Sequence, residues 1–427
     1  SMYPGDEKFV ENVKQEVIDN VNRLQNHPSI AIWCGNNEND EGWHNWGWQK
    51  QFNYSKADST QIWNDYKKVF HEMIPQALDS LLPKERNIYW SSSPSIGWGR
   101  KESLLQGDSH YWGVWWGKEP FEIYEKKVGR FMSEYGFQGM PNLETLEKVI
   151  SNEDLNFTSE AFKNHQKHPT GYETINEYME RDYVVPKDLK DYLYVSQLLQ
   201  ARGMQIAIEA HRRAKPNCMG TLYWQLNDCW PVTSWSSLDY YGNWKAFHYQ
   251  TKRSFENVIL SIEKHNNDIY KFFVINDGIQ NYAGELKAEV RNFQGQLLWE
   301  KKSYCTSEAN SIVTAVLLPF APLKEIDKQN SYLKLEFISD DSRFESVFFF
   351  EKPKDLKLQK PNIQINIIDE LTIEISTDVL AKDVFLSSEN NAFFDDNYFD
   401  LLPNKKRIIK LSKSAKEIKV MSLYDTL

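Results

Sequence analysis

The chain has 427 residues, 41% of them hydrophobic and 26% charged, and a formal net charge of −10. These proportions belong to a folded globular protein rather than a disordered or membrane-embedded one, and the length exceeds what one hydrophobic core usually organises, so two or three domains are expected. The acidic balance, with no Lys/Arg run interleaved with aromatics, argues against a nucleic-acid partner, and no stretch of about 18 apolar residues argues for a membrane segment.

The opening SMYPGDEKFVENV has neither the basic start nor the apolar centre of a signal peptide. The chain therefore reads as soluble, with the compartment unknown and export of a longer parent left open. Phe9, Val13, Val17, Val21 and Leu24 repeat at helical spacing behind Gly5-Asp6, and His27-Pro28 ends that helix before the strand-like run at 30–34. Ile62, Tyr66, Val69, Met73 and Ala77 mark a second helix, followed by a short strand at 87–90. A long helical stretch over 189–214 leads through Lys215-Pro216-Asn217 into a strand-like run at 220–224. Helices alternating with short apolar strands favour a parallel sheet or a (β/α) barrel.

Fourteen of the fifteen tryptophans lie at or before Trp244, so the chain changes character near residue 250. Beyond it, strand patterns at 269–275, 285–290, 296–301, 332–337 and 347–351 predict an antiparallel sandwich. The Lys- and Pro-rich stretch 352–361 reads as a linker, and patterns at 363–367, 372–376, 384–387, 407–411 and 417–421 suggest a second, smaller sandwich. Cys34, Cys218, Cys229 and Cys305 have no zinc or redox-motif spacing and are read as free thiols, although four cysteines allow three disulfide pairings. The histidines also lack ligand spacing, so neither a metal nor another cofactor is expected.

Glycoside cleavage needs a proton for the leaving oxygen and a second carboxylate across the anomeric carbon. Two acids at strand ends suit that chemistry. Glu38 follows a strand in Trp33-Cys34-Gly35-Asn36-Asn37-Glu38-Asn39, and Glu134 ends the strand-like Phe131-Met132-Ser133. Taken alone, Glu38 could equally cap the next helix and Glu134 pair with a nearby base.

The segment from Trp33 to Asn39 and the segment FMSEYGFQGMP from Phe131 to Pro141 together resemble the acid/base and nucleophile segments of the β-mannosidases of glycoside hydrolase family two. Gly107 to Trp115 (GDSHYWGVW) and Gly220 to Pro231 (GTLYWQLNDCWP) are similar to the sixth and eighth barrel strands of those enzymes, and the resemblance continues to Asp396–Pro403 (DNYFDLLP). It implies a multidomain chain: the C-terminal part of a (β/α)8 TIM-type barrel over 1–250, about strands 4 to 8, followed by immunoglobulin-like β-sandwich domains over 251–352 and 353–427. The first barrel strands and the domains that precede them in the family are expected to be absent, leaving strand edges open for self-association.

By the same resemblance the function is that of a retaining exo-β-mannosidase acting on a β-mannoside or manno-oligosaccharide, with Glu38 as acid/base and Glu134 as nucleophile. Their carboxyl groups are then expected about 5 to 5.5 Å apart, with Glu38 holding a proton and Glu134 ionised. Asn37 would bind the sugar's C2 hydroxyl, or cap a turn. Trp98, Trp112 and Trp224 would wall the sugar, or belong to the core. His110 would reach a sugar hydroxyl or hold a carboxylate, and Trp43, Trp46 and Trp48 would line the entrance or pack in a loop. The alternatives are a β-galactosidase, β-glucuronidase or exo-glucosaminidase of the same family, and a catalytically silent fragment that binds or supports.

Overall fold

The computed structural model describes residues 2–94, 96–266, 269–319, 323–340 and 342–427. The chain divides into two compact units that interleave along the sequence. One comprises Ser1–Trp116, Lys127–Tyr135 and Pro216–Tyr223; the other comprises Gly117–Lys126, Gly136–Lys215 and Trp224–Leu427.

In the first unit, Asp6 accepts a hydrogen bond from the Phe9 N–H at 3.0 Å and starts α1 (Glu7–Leu24). Such a cap satisfies one of the N–H groups that a helix start leaves without a partner. There follow β1 (Trp33–Cys34), α2 (Asn39–Asn45), α3 (Trp48–Gln51) and α4 (Lys56–Lys67), the last opened by a capping box between Ser55 and Asp58. α4 runs through a π-helical turn, Lys68–Met73, into α5 (Ile74–Leu81). The apolar stripe of α1 packs on Tyr66, Val69, Phe70, Ile74 and Leu78, which gives this unit its core.

The strands of this unit are short and parallel. β1 pairs with β2 (Tyr89–Trp90), and β3 (Ser109–His110) pairs with β4 (Met132–Glu134). The strand-like run at 220–224 enters as a single parallel bridge, Thr221 to Met132.

The second unit is helical in its first half and all β in its second. Its helices are α6 (Leu143–Glu147), α7 (Glu160–Asn164), α8 (Gly171–Asp182), α9 (Leu189–Arg213) and α10 (Ala246–Ser254). α9 is the central one, with apolar residues such as Val195, Leu199, Met204 and Ile208 fully buried. It is capped by Asp188 and ends in His211-Arg212-Arg213, cations that suit the negative end of the helix dipole.

The remaining strands are β5 (Val258–Asn266), β6 (Ile269–Asn276), β7 (Tyr282–Asn292), β8 (Leu297–Ser307), β9 (Ser311–Pro319), β10 (Ser331–Ser339), β11 (Ser342–Phe349), β12 (Gln364–Asp369), β13 (Thr372–Ser376), β14 (Ala381–Ser388), β15 (Phe399–Leu401), β16 (Lys406–Lys410) and β17 (Ile418–Met421). A three-stranded sheet, β5-β6-β9, and a four-stranded one, β11-β10-β7-β8, bury alternate residues against each other. Val258, Leu260 and Ile262 with Phe272 and Val274 face Leu286, Ala288, Val290, Leu333, Leu335 and Phe337. That period of two is the signature of sheets with one face on a core. A second sandwich joins β12-β13-β16 to β15-β14-β17 over Ile373, Ile375, Val384, Leu386, Phe399 and Ile409. β5, β9 and β15 were not among the expected strands.

All four cysteines are free, Cys218 and Cys305 being buried. Among the described residues, no helix is long and apolar enough to cross a membrane.

Candidate active site

The parallel pairing of β3 with β4 aligns His110 with Glu134, so two residues far apart in sequence become strand neighbours. The Tyr111 N–H donates to the Glu134 carbonyl at 2.8 Å and extends the pairing past the strand end. Glu38 arrives from the carboxyl end of β1. It stands at the start of α2 with φ of 60°, in the left-handed region. A side chain there costs about 1 to 3 kcal/mol unless the surroundings impose the conformation. Two backbone bonds do so, from the Glu38 N–H to Ser93 O at 2.9 Å and from the Gly42 N–H to Glu38 O at 2.8 Å.

Three side chains converge. His110 Nδ1 lies 2.8 Å from Glu38 Oε1 and 3.5 Å from Glu134 Oε2. The facing atoms of Glu38, His110 and Glu134 all lie within 4.8 Å of one another. Trp112 donates its indole N–H to Glu134 Oε1 at 3.1 Å. Behind His110, Nε2 is 3.0 Å from Ser93 Oγ, and the Ser93 and Ser133 hydroxyls both donate to Asp108 Oδ2.

Sequence spacing shows no metal set, whereas strand pairing brings these three potential ligands together from distant positions. A tetrahedral ion with bonds of about 2.0 to 2.2 Å keeps its ligand atoms roughly 3.3 Å or more apart. The 2.8 Å contact between His110 and Glu38 is too short for that and has the length of a shared proton.

Burial pushes the Glu134 carboxyl above its ordinary range, and the negative charges of Glu38 and Asp108 act in the same sense. The Trp112 N–H opposes the shift, as a positive charge on the His110 ring would. Desolvation thus works against the expectation that Glu134 simply stays ionised, and the Trp112 N–H works for it.

The turn-capping role weighed for Asn37 is filled by Asn36. Its amide donates to Tyr66 Oη and Ser91 O, and its carbonyl accepts from the Asn39 N–H and Ser92 Oγ. Asn37 itself is exposed beside Ser93. Trp98 is 39% exposed, edge-on to Tyr111 with ring centroids 6.4 Å apart. The buried Glu41 steadies its loop by accepting from the Gly97 N–H at 3.0 Å and pairing with Arg100. Trp43 is buried and stacked on Trp63, Trp46 is exposed and Trp48 is half-buried. Trp224 belongs to the second compact unit, where it is 43% exposed. Sequence reading assigned no role to Ser93, Ser133 or Asp108; the one available signal was Asp108 two residues before His110 in the GDSHYW segment.

Residues 358–426 match the model of an Ig-fold domain of mannosidases, and residues 268–355 match a mannosidase Ig/CBM-like domain. The β-mannosidase of Mus musculus is 28% identical over 100% of this chain and 52% of its own length. That of Capra hircus is 29% identical with the same coverage of each chain. The crystal structure of a β-D-mannosidase from Dictyoglomus thermophilum superposes with a TM-score of 0.84 at 30% identity, over 99% of this chain and 51% of the other. Along its whole length the chain is thus similar to β-mannosidases, which are glycoside hydrolases. It spans about half the length of the relatives it matches. An exo-chitosanase of Amycolatopsis orientalis, at 14% identity and a TM-score of 0.68, shares the fold.

Proposed function

We propose that this chain carries the acid/base and the nucleophile of a retaining exo-β-mannosidase, an enzyme that removes terminal β-mannosyl residues by double displacement. Glu134 attacks the anomeric carbon while Glu38 protonates the departing oxygen; Glu38 then takes a proton from the water that releases the sugar. The observation that carries the reading is the Glu38–His110–Glu134 cluster, whose facing atoms lie within 4.8 Å of one another. That closeness fits the separation of about 5 to 5.5 Å between the carboxyl groups of a retaining enzyme better than the about 6.5 to 9.5 Å of an inverting one.

In this reading Asn37 holds the C2 hydroxyl and Trp98 and Trp112 wall the sugar. Residues 1–250 supply about strands 4 to 8 of a (β/α)8 barrel, with sandwich domains over 251–352 and 353–427. A panel of aryl β-glycosides tests it: the β-mannoside is expected to be cleaved in preference to the galactoside, glucuronide and glucosaminide. Cleavage of another sugar in preference would move the chain to a different specificity within the fold.

One observation favours a weakened or silent chain that self-associates. β1 pairs only with β2 among the described residues, and Ile30 and Ile88, next to those strands, are 38% and 55% exposed. Unpaired edges with apolar neighbours invite association. Comparison of turnover with that of a longer family member, alongside light scattering, separates this reading from the first.

A further inference from the structure

His110 is 3% exposed and is engaged at both ring nitrogens. Nε2 faces Ser93 Oγ at 3.0 Å, and Nδ1 faces Glu38 Oε1 at 2.8 Å, with Glu134 Oε2 at 3.5 Å. The directions of these bonds decide where the imidazole protons sit. A carboxylate only accepts, and a hydroxyl has one proton to donate. Ser93 gives that proton to Asp108 Oδ2. Its oxygen therefore meets Nε2 as an acceptor, and Nε2 carries a hydrogen. In a neutral imidazole Nδ1 is then a lone pair. It faces a carboxyl oxygen at hydrogen-bond distance, so one proton lies between the two, and with the ring neutral that proton belongs to Glu38.

We infer that Asp108 and Ser93 are positioning residues that lock His110 with its proton on Nε2, so that Nδ1 accepts the carboxyl proton of Glu38 and Glu38 waits in its acid form. The inference rests on the proposed role of Glu38 as acid/base and gives that role a physical cause. Once the proton has passed to the leaving oxygen, the Glu38 carboxylate faces a lone pair. That repulsion is relieved when Glu38 takes a proton from the attacking water, so the lock favours the second step as well. The charged groups facing the ring are Glu38, Glu134 and Asp108, and the thiol of Cys34 lies beside Ser93. The competing arrangement is an imidazolium, protonated on both nitrogens, beside an ionised Glu38.

The test is a long-range proton–nitrogen correlation spectrum of the full chain labelled with nitrogen-15 at histidine, with His110→Gln identifying the ring's signals. At neutral pH, Nε2 is expected to be protonated and Nδ1 to have the shift of a hydrogen-bond acceptor. Ser93→Ala removes the acceptor for Nε2–H, so the two tautomers should interchange and the two nitrogen shifts converge, while Ser93→Thr restores the wild-type pattern. On aryl β-mannosides, Ser93→Ala should lose roughly tenfold or more in kcat/KM with unactivated leaving groups and much less with activated ones, because only the former need the proton. Protonation of both nitrogens in the wild-type chain overturns the inference, and so does a Ser93→Ala spectrum identical to wild type. The wild-type spectrum decides even where a variant fails to fold. It needs no turnover: a chain that cleaves no glycoside yet shows the expected spectrum upholds the lock and refutes the glycosidase reading.

Discussion

As the proposed nucleophile, Glu134 would have to carry a charge at a position that disfavours charge. Burial raises its pKa, so the folded state ionises it less readily than the unfolded chain does. The sign of the linkage follows: the contribution to stability is present at low pH and is lost as pH rises from the ordinary value of 4.5 through the raised one. Urea unfolding at stepped pH should therefore show Glu134→Gln gaining on the wild type as pH rises through that window, and a difference independent of pH would contradict it. If Glu134 is the nucleophile, as proposed, the same shift should place the acidic limb of kcat/KM for activated aryl β-mannosides above the ordinary glutamate range, since a nucleophilic carboxylate must be ionised. Kinetics separate the two acids. Glu134→Gln is expected to abolish formation of a glycosyl-enzyme, seen by mass spectrometry. Glu38→Gln should spare that step for activated leaving groups, and equal loss on activated and unactivated substrates would remove Glu38 as the acid. Both glutamates were legible in sequence because each sits in a short motif at a strand end. Ser93 was not, because a serine in a Ser-rich loop differs from its neighbours only by what the fold sets beside it.

α9 shows two local rules in conflict at one residue. Gly203 lies inside this helix, where replacing glycine with alanine ordinarily gains about 1 kcal/mol. A Cβ there would lie 2.3 Å from the ring of Phe121, which is itself buried. Overpacking of that kind costs about 1 to 3 kcal/mol, so Gly203→Ala should destabilise the chain on balance, and a rise in Tm would show that the ring can move aside. In the first sandwich Leu335 is fully buried among both sheets, and Leu335→Ala should cost about 2 to 5 kcal/mol by chemical denaturation. Helices such as α1 and α9 were legible because their stripes and caps are local. β15 is three residues long and β9 borders residues with little pattern of their own, so neither stood out against the surrounding chain. The π-helical turn after α4 is invisible to a periodicity of 3.6.

At the scale of the molecule, a small cluster ties the two sandwiches of the second unit together. Phe293 and Tyr332 from the first pack with Leu356, Leu380 and Leu402. The Leu380 N–H also donates to Phe293 O at 2.8 Å. Calorimetry is expected to show the two sandwiches melting in one transition, and Phe293→Ala should split or broaden it; two separate transitions in the unaltered chain would mean that the cluster does not couple them. Sequence by itself determined the resemblance to β-mannosidases, the order of helix-rich and strand-rich halves and the two candidate acids, because motifs, caps and hydrophobic periods are properties of neighbouring residues. Only tertiary structure decided which residues surround those acids. Pairing of β3 with β4 set His110 against Glu134, the left-handed backbone at Glu38 aimed its carboxyl at the same ring, and Ser93 closed the network from a loop. Distances of that kind depend on strand register and crossing connections between residues tens of positions apart, which no local pattern encodes.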